Sequence, residues 1–449
     1  MRVPAIPGFD PEAFQKYFKN TGWLMLGKIL SMIVGFLIAR HLGPVSFGDL
    51  GFAEALTAII AAIGTLGLDS FIIREIIHDP GNRHEILGTS FWLRIGINII
   101  LVPLSILIYL FYHNLSTIPG TDLTLIVSLL SIASFFKSFN VIDSYFQSQV
   151  QSKYVVHIQN ICLLISALVK TTLVLLKLPL IYFALALVLD GLMLASGLML
   201  IYHRKQQNLL AWSFSRKRAK TLISQSWPLI VSAVMVSIYL KIDLVMLKQL
   251  GSKQVGIYYA AAKISESWYF IPVAIITSVF PAIIHARKND IDRYHKRLQN
   301  LYDLLIGISL PVAILISFWA QDLITLIYGD QYHGAGTILS IHIWSGIFVF
   351  YGSASSQYLL AEGYTFITFL RTSMGAVINV ALNIFLIPIY GVLGAAIATL
   401  IAYFIATFFI LLFPHTRKHG IMMFRSLFLG NIIATLSAYL KKRNGSKNV

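Results

Sequence analysis

Ten ionisable side chains lie inside long apolar runs of this sequence, where their presence needs a physical reason. They comprise six bases and four acids: Lys28, Arg94, Lys170, Lys241, Lys263, Arg371, Glu54, Asp190, Asp243 and Glu266. A lone charge at the centre of a membrane-spanning helix costs about 2.5 to 3.5 kcal/mol on insertion scales, so each charge needs a partner, water or a ligand. These ten residues are therefore the candidate binding and charge-balancing residues.

Three of the six bases have a simple structural explanation. Lys263 and Glu266 are three residues apart, so they share one helix face and can neutralise each other. Arg94 and Lys170 lie near the ends of their apolar runs, and a long basic side chain can reach water from such a position. For these three bases, structural and functional roles both stay open.

The other three bases, Lys28, Lys241 and Arg371, lie deeper or lack an obvious partner on their own helix. Asp243 is two residues from Lys241, which places the two side chains on largely different sides of a helix. We expect the three bases to line a cavity, with the four acids balancing charge or coupling to an ion. Because phosphate oxygens bind Lys and Arg strongly once water is excluded, such a cavity favours an anionic group.

The composition places these runs in a membrane. Of the 449 residues, 57% are hydrophobic and 12% are charged, and the mean hydropathy is +0.75, which is too apolar for an ordinary soluble fold. The net charge of +16 does not indicate nucleic acid, because Lys and Arg concentrate in short segments between apolar runs. With Cys162 as the single cysteine and no phosphate-binding loop sequence, we expect no metal, no cofactor and no ATP-driven step by this chain alone.

About 20 apolar residues are needed to cross a bilayer as a helix, and twelve segments meet this criterion. They are 21–41, 48–68, 88–112, 122–140, 154–176, 180–202, 226–248, 254–284, 300–320, 335–360, 364–387 and 391–413. A further apolar patch, 421–440, contains Arg425 and Asn431, and we interpret it as an interfacial helix rather than a thirteenth span.

The basic residues between the spans predict the orientation of the chain. They concentrate on the side of the N-terminus, so both termini are predicted to be cytoplasmic in a multi-pass protein of the cell (inner) membrane. The most basic connection is 203–222, and we predict that it joins two halves of the chain. Its Trp212 and Phe214 suit a segment lying on an anionic membrane surface.

A repeat supports this division into halves. Leu42, Gly43, Gly48 and Ala53 recur 208 residues later as Leu250, Gly251, Gly256 and Ala261. We therefore predict an all-α integral membrane protein whose twelve helices form two six-helix lobes around a central cavity, an arrangement found in many transporters. The predicted lobes are 1–202 and 223–413, joined by the linker 203–222 and followed by a basic cytoplasmic tail, 414–449.

Several motifs occur in a characteristic order along the chain. In the first half they are ARHLGPVSFGDLGFAEA, LGLDSFIIREI and GTSFWLRIGI, and in the second half KIDLVML, LGSKQVGIYYAAAKI, LIYGDQYHGAG and VINVALNIFLIPIYGVLGAAIATLI. Together they resemble the polysaccharide transporter family, which flips lipid-linked oligosaccharides such as O-antigen units. The resemblance covers nearly all of 20–413. It implies the multidrug, oligosaccharidyl-lipid and polysaccharide exporter fold, in which a central cavity opens alternately to each side.

The resemblance also implies a function. The protein would flip a polyprenyl diphosphate-linked oligosaccharide from the cytoplasmic to the outer leaflet, for surface polysaccharide synthesis. Lys28, Lys241 and Arg371, together with Arg94, Lys170 and Lys263, would hold the diphosphate or acidic sugars. The partners would be the lipid-linked substrate, membrane lipids and other glycan-assembly proteins.

Two alternatives stay open at this stage. A multidrug antiporter of the same superfamily would need acids for its cationic drugs, and the excess of buried bases argues against it. A membrane glycosyltransferase or polymerase would use Asp290 and Asp292, but these lie in a short connection with no α/β domain around them. We therefore expect a transporter rather than an enzyme.

Overall fold

The computed structural model describes residues 11–115 and 122–428, with side chains described at 27–114, 122–287 and 290–428. These residues form helices and connections without any strand. The helices are α1 Pro11–Gly64, α2 Asp69–His78, α3 Arg83–Leu115, α4 Thr124–Phe135, α5 Val141–Ser148, α6 Lys153–Leu175, α7 Leu180–Arg204, α8 Arg216–Leu247, α9 Ser252–Glu266, α10 Phe270–Asn289, α11 Ile291–Phe318, α12 Ala320–Tyr328, α13 Ala335–His342, α14 Ser345–Ala361, α15 Thr365–Tyr390, α16 Val392–Phe408 and α17 Pro414–Leu427.

The membrane spans agree with the prediction. Eleven helical runs within the described residues are long and apolar enough to cross a membrane. The first run, Gly27–His78, contains two predicted spans, because Gly43 leaves the helical conformation at φ 71° and ψ 171°. The prediction of an all-α membrane protein with about twelve spans is confirmed.

The chain divides into two compact units. Among the described residues, the N-terminal unit consists of those within Trp23–Ala260 together with Thr325–His333, and the C-terminal unit contains Ala261–Ile324, residues 334–428 and residues 11–22. The predicted lobes, which were set by the sequence repeat rather than by packing, remain a prediction.

The core of the N-terminal unit includes the linker as well as the helices. Apolar side chains of α2, α3, α5 and α7 form one buried cluster, with Trp212 packed against it. The Trp212 indole N–H donates to the Tyr202 hydroxyl at 3.1 Å, whereas Phe214 is exposed. Of the two aromatic residues expected on the membrane surface, Trp212 therefore packs on the protein instead.

The last described helix, α17, packs into the C-terminal unit. Its His419 is buried, and its Nε2 atom lies within hydrogen-bonding distance of the Tyr302 hydroxyl at 2.6 Å. The His419 ring stacks on the Tyr358 ring with 3.6 Å between the ring centroids. Farther along the helix, Ser426 lies 2.5 Å from the Tyr351 hydroxyl. Only the start of the patch predicted as an interfacial helix, 421–440, belongs to α17, and its part beyond Phe428 lies outside the described residues.

Candidate functional site

Two glycine turns mark equivalent positions of the sequence repeat. Gly43 ends the first span at φ 71° and ψ 171°, and Gly251 ends α8 and its final 3₁₀ turn at φ 98° and ψ 157°. This backbone region is open almost only to glycine. Since the two residues are 208 positions apart, the repeat found in the sequence is also a repeat of backbone conformation.

The helices that follow these turns cross at very short range inside the N-terminal unit. A Cβ on Gly48 would lie 1.9 Å from the Ser252 carbonyl oxygen, and a Cβ on Gly256 would lie 1.8 Å from the Pro44 carbonyl oxygen. The contact is reciprocal, because Pro44 and Ser252 are themselves equivalent in the repeat. Only residues without a side chain permit this backbone approach.

A buried ion pair lies beside this crossing. The Lys248 ammonium is 2.5 Å from Asp49 Oδ1, and the Ser252 hydroxyl donates to the same oxygen at 2.5 Å. Asp49 is only 2% exposed, so groups of the second repeat bond to a carboxylate that is shielded from solvent. Sequence reasoning missed Asp49 because it lies close to the predicted start of its span.

Two of the candidate acids accept hydrogen bonds from adjacent tyrosines of α9. The Tyr259 hydroxyl donates to Glu54 Oε2 at 2.5 Å, and the Tyr258 hydroxyl donates to Asp243 Oδ2 at 2.7 Å. The Tyr259 ring also packs against Gly51, where a Cβ would lie 2.5 Å from the ring. The Tyr259–Glu54 bond joins helices of the two repeats, whereas the Tyr258–Asp243 bond lies within the second repeat.

The segment Thr325–His333 covers the ends of these helices. The Tyr332 hydroxyl donates to the Ala39 carbonyl at 2.6 Å, and the Gln331 amide donates to the Arg40 carbonyl at 2.7 Å. The Tyr328 hydroxyl donates to the Ala260 carbonyl at 3.2 Å. Side chains of this segment therefore bond to the Ala39 and Arg40 carbonyls at the end of the first span and to the Ala260 carbonyl within α9.

Two of the candidate bases form ion pairs in the N-terminal unit. Arg94, which is 2% exposed, donates to Asp69 at 2.7 Å, so it is buried in a pair rather than extended towards water. The Lys170 ammonium is 2.5 Å from the Asp190 carboxylate on the neighbouring helix. Both bases therefore have a structural role, whatever role they have towards a substrate.

The remaining candidate bases differ in exposure. In the N-terminal unit, Lys28 is exposed and Lys241 is partly buried. In the C-terminal unit, Lys263 is exposed on the same helix as the partly buried Glu266. Arg371 is buried there and donates to the Gly352 carbonyl at 2.9 Å and the Ser356 hydroxyl at 2.7 Å.

The C-terminal unit contains a groove along α10 of about 670 Å³. One stripe of α10 lines the groove together with a single residue of α14. The lining residues are Ile276, Thr277, Phe280, Pro281, Ile284, His285 and Gln357. The lining is mainly apolar and offers three polar side chains, a combination that suits an amphipathic ligand.

Uncharged polar residues of the C-terminal unit were missed because sequence reasoning searched only for charges. Asn379, Asn383 and Thr399 are almost completely buried in α15 and α16. The Asn383 amide donates to Asn379 Oδ1 at 3.2 Å, and the Asn379 amide contacts the Thr399 hydroxyl at 3.4 Å. Two asparagines four residues apart in an apolar run were the available signal.

Lys137 lies near the end of the predicted span 122–140 and was not counted among the six candidate bases. The helical run extends over Thr124–Ser148, past the predicted end of that span, and Lys137 lies near its middle in the 3₁₀ segment Phe136–Asn140. A helix can continue past its apolar stretch, because polar residues form the same backbone hydrogen bonds as apolar residues. Lys137 is thus an additional base within a spanning helix.

No group of three or more His, Cys, Asp or Glu side chains suited to a metal ion occurs among the residues described. The polar chemistry found in the described parts of the chain consists of ammonium, guanidinium, carboxylate, amide and hydroxyl groups arranged in pairs. Such groups can bind ions and polar head groups.

This helical arrangement has the fold of known membrane transporters. The chain superposes on an inward-facing multidrug resistance transporter of the MATE family and MOP superfamily with a TM-score of 0.69, at 17% identity, covering 90% of this chain and 96% of that one. It also superposes on the lipid II flippase MurJ, in an inward closed conformation, with a TM-score of 0.69, at 18% identity and 92% coverage of each chain. At these identities the likeness shows the fold.

The family follows from the sequence. Residues 37–336 match the family model described as polysaccharide biosynthesis protein, and the chain belongs to that family. A protein of Shigella flexneri assigned as an O-antigen transporter is 25% identical over 411 residues, covering 85% of this chain and 93% of its own length. A protein of Haloferax volcanii assigned as a flippase is 30% identical over 152 residues, covering 33% of this chain and 32% of its own.

Proposed function

We propose that this protein is a flippase that moves a lipid-linked oligosaccharide from the cytoplasmic to the outer leaflet by alternating access. The observation that carries the proposal is the family match over residues 37–336, together with the full-length similarity to the assigned O-antigen transporter. The relatives named above are assigned as a transporter and a flippase, which agrees with the expectation of a transporter rather than an enzyme.

The geometry of the N-terminal unit supports one closed state of the cycle. Three contacts lie at one end of the same helices. They are the crossing of Gly48 and Gly256, the ion pair of Asp49 and Lys248, and the hydrogen bonds of the segment Thr325–His333. If the N-terminus is cytoplasmic, as the basic residues predict, this end faces the outside. Opening towards the outer leaflet would then require the crossing and the ion pair to separate.

For substrate binding, we propose that Lys28, Lys241 and Arg371, together with Arg94, Lys170 and Lys263, hold the diphosphate or acidic sugars. Arg94, Lys170 and Arg371 also bond to other groups of the protein, which fixes their positions. The groove along α10 suits an apolar or sugar portion of a lipid-linked substrate. Other glycan-assembly proteins would supply the substrate and use the product.

Purified protein in liposomes tests this function. A fluorescent polyprenyl diphosphate-linked sugar, read with a membrane-impermeant quencher, should change leaflet at a rate that depends on the protein. Lys241→Ala should abolish the movement with the fold intact, whereas Lys220→Ala, a change of an exposed cytoplasmic-side base, should not alter it. Absence of lipid movement with the unaltered protein would refute the flippase, and normal movement with Lys241→Ala would refute that assignment.

The same liposomes separate the alternatives. Export of a cationic dye without lipid movement would indicate a multidrug antiporter. Formation of a new glycosidic bond from a labelled sugar nucleotide would indicate an enzyme, and loss of this activity in Asp290→Asn and Asp292→Asn would locate it.

A further inference from the structure

Lys137 lies at a break in a spanning helix. The run Thr124–Ser148 changes from α-helix to a 3₁₀ segment, Phe136–Asn140, and then returns to α-helix. A 3₁₀ segment in the middle of a helix often marks a functional position, because it redirects side chains relative to the flanking turns. Here the redirected residues include a base.

Neighbouring helices hold this break from both sides. The Asn98 amide of α3 donates to the Ser138 hydroxyl at 3.2 Å. On α7, a Cβ at Gly191 would lie 3.0 Å from the Ala133 carbonyl oxygen and 3.2 Å from the Phe136 ring. Ser138 is 1% exposed, whereas the Lys137 side chain is exposed. The backbone is therefore fixed while the ammonium projects from it.

The ammonium lacks a direct partner in the described structure. No hydrogen bond or ion pair to Lys137 occurs among the described residues. Glu54 interacts with the Lys137 charge through space, without direct contact. That carboxylate is already bonded to the Tyr259 hydroxyl. Part of the Lys137 side chain is accessible, although surrounding protein atoms desolvate its ammonium. A desolvated ammonium within a spanning helix needs water or an anionic ligand, because contact with lipid alone is unfavourable.

We propose that Lys137 binds a phosphate oxyanion of the transported lipid, at a site on the fourth span of the N-terminal unit. This inference rests on the proposed flippase function, from which the phosphate-bearing lipid comes. An ammonium forms strong charge-assisted bonds to phosphate oxygens where water is excluded.

Binding to purified protein in nanodiscs tests this site. The probe is a fluorescent polyprenyl diphosphate-linked sugar, with Lys137→Gln and Lys137→Arg compared with Lys220→Gln. Loss of one charge-assisted bond should weaken binding by roughly tenfold to a hundredfold in Lys137→Gln. Lys137→Arg should stay within a few-fold of the unaltered protein. Equal affinities of Lys137→Gln and Lys220→Gln would overturn the proposal.

Two further measurements complete the test. Competition by inorganic diphosphate and by phosphatidylglycerol vesicles shows whether the site takes the free anion, any anionic lipid or only the diphosphate lipid, and binding of phosphatidylglycerol alone would overturn the assignment. Amine-reactive labelling of Lys137 in the unaltered protein should be slowed by the diphosphate lipid, which tests the site without a variant. Unaltered protein that neither binds nor moves the lipid would refute the flippase function itself.

Discussion

Gly48 and Gly256 occupy equivalent positions of the two repeats, and each packs against the backbone of the other's helix. A methyl group on Gly48 would lie 1.9 Å from the Ser252 carbonyl oxygen, which is far inside van der Waals contact. The sequence repeat, the repeated backbone turn and the helix crossing therefore occur at the same place in the molecule. It also makes the crossing unusually sensitive to the smallest possible side-chain addition.

Gly48→Ala should therefore destabilise the protein by roughly 1 to 3 kcal/mol, the usual range for overpacking a tight contact. Gly35→Ala is the matched control, because it lies on the same helix with nothing within 4 Å of the added Cβ, and a helical glycine replaced by alanine is stabilising by up to about 1 kcal/mol. Thermal unfolding in detergent measures both. Equal Tm values for the two variants would contradict the crossing.

The Asp49 and Lys248 pair predicts strongly non-additive variants. Lys248→Met alone should cost roughly 3 to 5 kcal/mol, because it leaves a buried carboxylate without its counter-ion. The double variant Asp49→Leu with Lys248→Met should recover most of that loss, since an apolar pair of similar volume is often as stable as a buried ion pair. The measurement is the free energy of unfolding of both single variants and the double variant. If the loss in the double variant equals the sum of the losses in Asp49→Leu and Lys248→Met, the two residues do not interact.

His419 should make the docking of α17 sensitive to acid. Burial lowers the pKa of His419 well below its ordinary value, and the nearby Arg371 and His295 lower this pKa further. The neutral form therefore stabilises docking at pH values above the ordinary pKa of about 6.5, and this stabilisation is lost as the pH falls below it. The protection factors of backbone amides at 416–427, which are corrected for the intrinsic exchange rate at each pH, should fall between about pH 7 and pH 5.

The control for this acid response is on the same helix. His415 is exposed, so His415→Gln should retain the response. His419→Gln, which cannot take up the proton, should reduce it and should show more exchange already at neutral pH. An identical acid response in both variants would assign the effect to other groups.

Arg218 should anchor the linker to the start of α3. Its guanidinium donates to Glu85 at 2.8 Å and to Asp79 at 3.1 Å, and bonds from Asn82 and Arg218 hold the pKa of Asp79 below its ordinary value. Arg218→Gln should lower Tm and speed proteolysis at 205–215, whereas Arg216→Gln, an exposed base of the same helix, should change neither. Equal proteolysis rates would show that Arg218 does not fasten the linker.

Much of the fold was predictable because apolar length alone identifies a spanning helix. The equivalence of Gly43 and Gly251 was also predictable, because the two residues occur at the 208-residue spacing of the sequence repeat. The ends of the helices were less predictable: hydropathy marks the lipid-exposed part of a helix, whereas α8 begins at Arg216, in sequence too polar for that signal.

The candidate site was predictable in residue type but not in pairing. The sequence indicated that Arg94 and Lys170 needed partners, yet it did not indicate Asp69 or Asp190, because these lie on other helices. Lys137 was missed for the opposite reason. The sequence around Lys137 is typical of a helix end. The structure shows instead that the helical run continues through the 3₁₀ segment, against which α7 packs.

The segment Thr325–His333 belongs to the N-terminal unit although 64 residues of the other unit, Ala261–Ile324, precede it in the chain. During synthesis, the first seven spans and the start of the eighth can enter the bilayer long before Tyr332 reaches the Ala39 carbonyl. The unit therefore cannot complete its fold in the order in which it is translated. A nascent chain paused before residue 325 would leave those helix ends unsealed, and quality-control proteases would have a defined window in which to recognise it.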